Sequence, residues 1–511
     1  MFRLLVALLA AIALLAPQPL LADPADIDAA ARGVVRVVVI GSDGEQIYPV
    51  SHGTGFAVTP TQVVTNAHVL GEALEDEELR IGVVPADGED AVYARVLAIS
   101  EGNDLALLEL TGGLRLPPLT VATAQAVGSG EVTAVGYPQN VDQAQGLEIA
   151  DILRSQPPVK SRGYLSGSRP ARQFDTLLHT APIAVGNSGG PLLDTCGRVV
   201  GVNSFGTDGG GGAEFFFAVS TRELLPFLRR NGVSAQVTGL PCRSLAEIEA
   251  EERERADAEA DAAATRQAAA AETLRARQDR ALLEAQMAVL AERENHVAGA
   301  FLLLLLASGA GLAAWQLGRG EHGARNRSIG AAVAGAAVLG AAVAWLTRPG
   351  LEEVDERMLL LLEEGSTALP DVGAGTGEQG QFICRLAVER SRVTGAAPEE
   401  VAFGWQADGC VNDRTQYARA GDGLWQRVLV PNTTAAVTVQ SFRPDTRTLV
   451  SERYLLERSG LEAMRSARAG VEAPACGTDG GSDQLAAAQQ ALLDKLPERP
   501  NERLVYRCNP G

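Results

Sequence analysis

Three short segments in a fixed order constrain this chain more than any other feature of its 511 residues. They are Thr65-Asn66-Ala67-His68-Val69, then Asn103-Asp104-Leu105-Ala106-Leu107-Leu108, then Gly186-Asn187-Ser188-Gly189-Gly190-Pro191. A serine hydroxyl is a poor nucleophile near neutral pH. It needs a neighbouring base to take its proton and a third group to orient that base. His68 and Asp104 have the chemistry for both roles beside Ser188. The glycines around Ser188 permit a tight turn that aims the amides of Gly186 and Ser188 at a developing oxyanion. Taken singly, each segment has a plain structural explanation: Asn-Asp begins turns, a histidine beside valines packs in a core, and Gly-Ser-Gly loops are common. Their joint occurrence, each beside a short β-branched run, points to one nucleophilic site. His52, ahead of Gly53-Thr54-Gly55-Phe56, and His179, opening the strand toward Ser188, are expected to be structural.

The order His, Asp, Ser differs from that of subtilisins and of α/β-hydrolases. Gly53-Thr54-Gly55-Phe56-Ala57-Val58, Val135-Gly136-Tyr137-Pro138, Gly201-Val202-Asn203-Ser204 and Phe217-Ala218-Val219 follow in turn. On these motifs the region from Val34 to Leu228 resembles a chymotrypsin-fold (trypsin-like) serine peptidase of the HtrA/Deg branch. The resemblance implies an all-β double β-barrel over residues 23–242 and serine endopeptidase activity. His68, Asp104 and Ser188 would be catalytic, and the amides of Gly186 and Ser188 would form the oxyanion hole. It implies no metal and no organic cofactor. Substrates would be periplasmic or membrane-proximal proteins, cleaved through an acyl-enzyme in quality control or regulated proteolysis. The alternative is a membrane-tethered peptide-binding scaffold or sensor with little turnover. Where zymogen-activated relatives carry an aspartate, Asn187 has no charge to pair with a new N-terminus, so the loops are expected to order on substrate or partner binding. Pro182-Ile183-Ala184-Val185 offers no carboxylate, which disfavours cleavage after Lys or Arg; small or medium apolar side chains are what the resemblance implies instead. Many family members are trimers, so a homo-oligomer is an open expectation. The family's usual PDZ domain has no evident counterpart.

Met1–Ala22 has one positive charge at Arg3, an apolar core from Leu4 to Ala16 and a small residue at Ala22, the pattern of a secretory signal peptide. The six cysteines agree with an oxidising compartment: Cys196 and Cys242 in the first domain, Cys384, Cys410, Cys476 and Cys508 near the C-terminus. Cys196 is expected to pair with Cys242. The other four allow three connectivities, of which adjacency suggests Cys384 with Cys410 and Cys476 with Cys508. No Cys-x-x-Cys spacing argues for zinc. The net charge of −19 is spread along the chain without a basic patch, which argues against nucleic acid as a partner.

Residues 243–296 are nearly all Ala, Glu, Arg, Asp, Leu and Gln, with neither Gly nor Pro after Ser244, and read as a long α-helical stalk with a patchy coiled-coil signal. Residues 297–347 read as a two-helix transmembrane hairpin. Val297–Leu317 holds Phe301 and five consecutive leucines without a charge, and Ile329–Leu346 is rich in Ala, Val and Gly. Between them lie Arg319, His322, Arg325 and Arg327, which the positive-inside rule assigns to the cytoplasm. Both flanks then face outward, which predicts a bacterial inner-membrane protein with its peptidase and C-terminal domains in the periplasm. Residues 348–511 are expected to form a small extracytoplasmic α+β domain. Val428–Val430, Ala436–Val439 and Thr448–Val450 read as strands, and Leu461–Ala469 and Gln484–Leu496 as helices.

Overall fold

Strict alternation along four strands builds two hydrophobic layers at once. A computed structural model of the chain describes residues 24–511 except 45, 89–90, 126, 128–129, 171–173, 207–213, 318–322, 365–378, 422, 433, 435, 472 and 479. The expected signal segment Met1–Ala22, and Arg319 and His322 of the basic loop, lie outside the described residues. The chain divides into two compact units, one of residues up to Glu252 with Thr376–Gly511, the other Arg253–Gly375.

The first barrel comprises β1 (Val34–Ser42), β2 (Ile47–Thr59), β3 (Gln62–Thr65), β4 (Arg80–Pro85), β5 (Val92–Ser100) and β6 (Leu105–Leu110), closed in the order β1-β2-β3-β6-β5-β4. Val35, Val37, Ala57, Val63, Ala106 and Leu108 share one core cluster. Their immediate neighbours Val34, Phe56, Val58, Val64, Leu105 and Leu107 share another. Successive side chains of a strand point to opposite faces, so one set fills this barrel. The other set meets Tyr137, Leu193, Val199, Val202 and Val219 of the second barrel. That second barrel contains β8 (Glu131–Gly136), β9 (Val159–Pro170), β10 (Asp175–His179), β11 (Pro191–Asp194), β12 (Val199–Gly206) and β13 (Phe216–Ser220), closed by the β11–β12 pairing. Short strands β7 (Val121–Ala122) and β14 (Val237–Thr238) extend its β12 edge. Helix α1 (Pro24–Ala31) precedes the barrels. Helix α2 (Thr221–Arg230) follows, N-capped by the Ser220 hydroxyl accepting from the Arg222 amide, and buries Leu224, Phe227 and Leu228 between the barrels.

The C-terminal segment forms a nine-stranded sheet. Its strands are β15 (Gly380–Leu386), β16 (Glu400–Trp405), β17 (Cys410–Val411), β18 (Thr415–Gln416), β19 (Ala418–Arg419), β20 (Trp425–Leu429), β21 (Ala436–Arg443), β22 (Thr448–Leu455) and β23 (Glu502–Pro510). An aromatic cluster of Phe382, Phe403, Trp405, Tyr417, Phe442 and Tyr506 fills one part of it. Helices Arg458–Ala469 and Gly481–Leu493, each starting three residues before its expected position, pack Leu461, Met464 and Leu492 on Val428, Val437 and Tyr454. Cys196–Cys242 is bonded as expected. The other two disulfides correct the expectation: Cys384 is bonded to Cys508, and Cys410 to Cys476. Adjacency in sequence misled because β23 runs antiparallel beside β15 and places Cys508 directly opposite Cys384, with Cα atoms 3.9 Å apart.

This sheet shares a unit with the barrels through a buried polar junction. Asp26 of α1 accepts from Asn501 Nδ2 at 2.8 Å and is ion-paired with Arg392, which donates to the Asn501 carbonyl at 2.7 Å. Helix Leu245–Leu317 runs unbroken for 73 residues, about 110 Å, so the expected stalk and first apolar span are one element. Gly323–Leu346 lies against it: a Cβ on Gly330 would come 2.5 Å from that of Ala314. Helix Glu353–Glu364 packs Val354, Met358 and Leu361 on Leu282, Ala285 and Val289. The two long helices are apolar and long enough to cross a membrane, each with a stretch of mean hydropathy 2.1, and they leave Phe301, Leu304–Leu306, Leu339 and Leu346 exposed.

Candidate active site

β3 delivers the chain into Asn66-Ala67-His68 at the cleft between the barrels, and the turn before β6 delivers Asp104 beside it. Asp104 sits in the left-handed region (φ 49), a conformation aspartate tolerates better than most residues. The Asn66 side chain braces this turn by donating to the Asp104 carbonyl at 2.7 Å. The Asp104 carboxylate then accepts from the His68 amide at 3.1 Å and lies 2.9 Å, through each oxygen, from His68 Nδ1. From the second barrel, the Ser204 hydroxyl donates to Asp104 Oδ2 at 2.6 Å. Burial pushes the Asp104 carboxyl up, but the hydrogen bonds and charge of His68, with Ser204, outweigh it and hold the group below its ordinary value. The imidazole is anchored through Nδ1 and half exposed, at 51 % of its side chain.

Ser188 stands on the turn from Val185 to Gly190, in front of β11. Its hydroxyl donates to the Ser204 carbonyl at 2.9 Å. The Thr54 amide donates to the Ser188 carbonyl at 2.8 Å, the Gly189 amide to Asn203 at 2.8 Å and the Gly190 amide to Asn187 at 3.0 Å. Two glycines are obligatory here. Gly186 has φ +97, and Gly189 has φ +86 with the Thr54 carbonyl 2.1 Å from where its Cβ would stand. Among the described residues, the amides of Gly186 and Ser188 donate to no protein acceptor, so two donors beside the Ser188 hydroxyl are uncommitted.

The structure thus brings His68, Asp104 and Ser188 together around Ser204, with Gly186 two residues before the serine and Asn187 buried. Pro182–Val185 contributes no carboxylate, and Phe205, just past Ser204, stacks on Phe217 with ring centres 4.8 Å apart. His179 stays outside the cleft. Its ring is buried against Phe216 and the Ala181 backbone, and burial pushes it down to about 4. His52 is closer than its sequence position suggests, packed behind Gly186. Sequence reasoning missed Ser204, Thr54, Arg36 and Asp142. Ser204 and Thr54 carried a signal, as members of Gly201-Val202-Asn203-Ser204 and Gly53-Thr54-Gly55-Phe56.

Residues 53–202 match the trypsin-like peptidase domain. The chain is 30% identical over 209 residues to the serine protease HTRA2, mitochondrial, of Bos taurus, covering 40% of this chain and 42% of that one. It is 32% identical over 208 residues to the serine protease HTRA4 of Homo sapiens, covering 40% of each. It is 30% identical over 177 residues to the magnetosome formation protease MamE of Magnetospirillum gryphiswaldense, covering 33% of this chain and 20% of that one. The chain spans less than half the length of these relatives. It carries a trypsin-like, HtrA-like serine peptidase domain with the chymotrypsin-type pair of barrels.

Proposed function

We propose that the chain is a membrane-anchored serine endopeptidase whose catalytic residues are Ser188, His68 and Asp104. The observation that carries this is the Ser204–Asp104–His68 hydrogen-bonded array facing a serine beside two uncommitted amides. Rotation of the Ser188 side chain away from the Ser204 carbonyl turns Oγ toward His68, as catalytic hydrogen bonds commonly tighten only with substrate in place. Oγ then attacks the peptide carbonyl while His68 Nε2 takes its proton. Asp104 holds the imidazole and balances its charge, and the Gly186 and Ser188 amides bind the oxyanion. The imidazolium gives its proton to the leaving amine, and water activated by the same base hydrolyses the acyl-enzyme.

The substrate class is the periplasmic or membrane-proximal protein, cut after a small or medium apolar side chain, in line with the carboxylate-free segment Pro182–Val185. Two apolar helices with mean hydropathy 2.1 support anchoring in the bacterial inner membrane. A hairpin suits the first unit, in which residues up to Glu252 are grouped with Thr376–Gly511.

The test is covalent labelling by a fluorophosphonate probe in isolated membranes. Labelling of the wild type and its loss in Ser188→Ala is expected. An unlabelled wild type that still captures peptide would favour the scaffold function and overturn the enzyme.

A further inference from the structure

Three ionisable side chains from separate elements meet behind the oxyanion turn. Arg36 lies on β1, His52 on β2, and Asp142 in a short helix, Gln139–Ala144. Arg36 Nη2 donates to Asp142 Oδ1 at 3.1 Å, and His52 Nε2 lies 3.5 Å from Asp142 Oδ2. Their side chains are only 2 %, 10 % and 8 % exposed for Arg36, Asp142 and His52. The guanidinium also covers the Tyr137 ring at 4.7 Å. Buried charges carry a desolvation cost that apolar residues of the same volume avoid, so packing alone gives no reason for them.

What they surround is the peptide that carries the Gly186 amide. The Gln139 amide, first in the short helix, donates to the Val185 carbonyl at 2.8 Å. In a trans peptide the carbonyl of one residue and the N–H of the next point in opposite directions. Holding the Val185 carbonyl toward Gln139 therefore turns the Gly186 N–H the other way, away from the short helix. On the far side of Gly186, Thr54 Oγ1 donates to the Gly186 carbonyl at 2.6 Å and accepts from the Tyr137 amide at 3.0 Å. A Cβ built on Gly186 would meet the Tyr137 carbonyl at 2.2 Å, His52 Nε2 at 3.0 Å and the Gln139 amide at 3.1 Å, so the Cα is boxed in by the same groups.

We propose that Asp142, bound to Arg36 and facing His52, is the positioning residue of the oxyanion hole: it pins the Gln139–Ala144 helix to the first barrel so that Gln139 sets the direction of the Gly186 amide. The proposal rests on the peptidase function given above. It differs from a stabilising role in what it changes. Substrate binds through the cleft walls whether or not the amide is aimed, whereas acylation needs it aimed.

The experiment compares the full-length wild type with Asp142→Asn and with Arg36→Met/Asp142→Leu, measuring peptide kcat and KM, the rate of fluorophosphonate acylation and the thermal midpoint. Complete loss of one oxyanion donor costs about 10²–10³-fold in kcat. Asp142→Asn keeps the shape and is expected to lower kcat and acylation by about 10–100-fold, within that bound, with little change in KM. The double variant removes the buried charges together and is expected to regain the midpoint without regaining kcat. Acylation by Asp142→Asn at the wild-type rate, or recovery of kcat along with the midpoint in the double variant, would overturn the positioning role alone. A wild type that Ser188→Ala matches in acylation would overturn the peptidase function and this role with it.

Discussion

Asp104 shows how one carboxylate is kept charged inside a cleft. Burial alone would favour its acid form, but the His68 amide, the imidazole and the Ser204 hydroxyl all bind the anion. Its lowered value means that it stabilises the fold above the ordinary aspartate range and loses that contribution as pH falls through the folded value. Asp104→Asn is expected to lower kcat by roughly 10⁴-fold, because an amide in that place favours the wrong imidazole tautomer; steady-state kinetics on a cleavable peptide would check it. His179 works in the opposite sense. Its ring is neutral when folded, with a value of about 4, against about 6.5 in the unfolded chain. As pH falls below about 6.5 the unfolded chain takes up the proton first, so stability declines until the folded value is passed. The decline is on the order of 3 kcal/mol from a shift of this size. His179→Gln is expected to flatten denaturation midpoints between pH 6.5 and 4 relative to wild type.

At the scale of elements, the turn from Val185 to Gly190 is held from three directions: Thr54 on β2, Gln139 at the start of its short helix, and Asn203 on β12. Strands from both barrels are thus needed before the turn has its shape. In the C-terminal sheet the chain's last strand lies between β15 and β22, and the disulfide follows from that order. Non-reducing peptide mapping is expected to recover Cys384 with Cys508 and Cys410 with Cys476, and no peptide joining Cys384 to Cys410. Closing a loop across a sequence separation of 124 is worth about 5 kcal/mol in the chain-entropy account, so Cys384→Ser/Cys508→Ser should show a lower midpoint in chemical denaturation.

At the scale of the whole molecule, the peptidase barrels and the C-terminal sheet are joined where charge is fully buried. Arg392 and Asp26 are 3 % and 2 % exposed in their side chains, and the pair is completed by Asn501. Removing Arg392 leaves the Asp26 carboxylate buried without its guanidinium, a loss on the order of 3–5 kcal/mol. Arg392→Met is therefore expected to destabilise the peptidase domain although the residue lies over 200 positions beyond Ser188; denaturation followed by probe labelling at Ser188 would show it. The half-exposed ion pair of Lys160 and Asp28 should contribute little, because solvent screens it.

Local pattern was enough to identify much of this protein. The nucleophile turn, the histidine and aspartate segments, the long charged helix and the two apolar spans are each written in a contiguous stretch, where residue type, period and length carry the physics. The pair of barrels was legible only through the family resemblance those motifs carry, and the structure shows how neighbouring Val, Leu and Ala of the first barrel's strands divide between two cores. Tertiary structure decided what crosses the chain: which cysteines meet, that Ser204 reaches Asp104 from 100 residues away, and that Arg36 reaches Asp142 from 106. No local period encodes such contacts. They arise only when barrel closure and strand order bring distant side chains into one low-dielectric interior, where each buried polar group must find a partner.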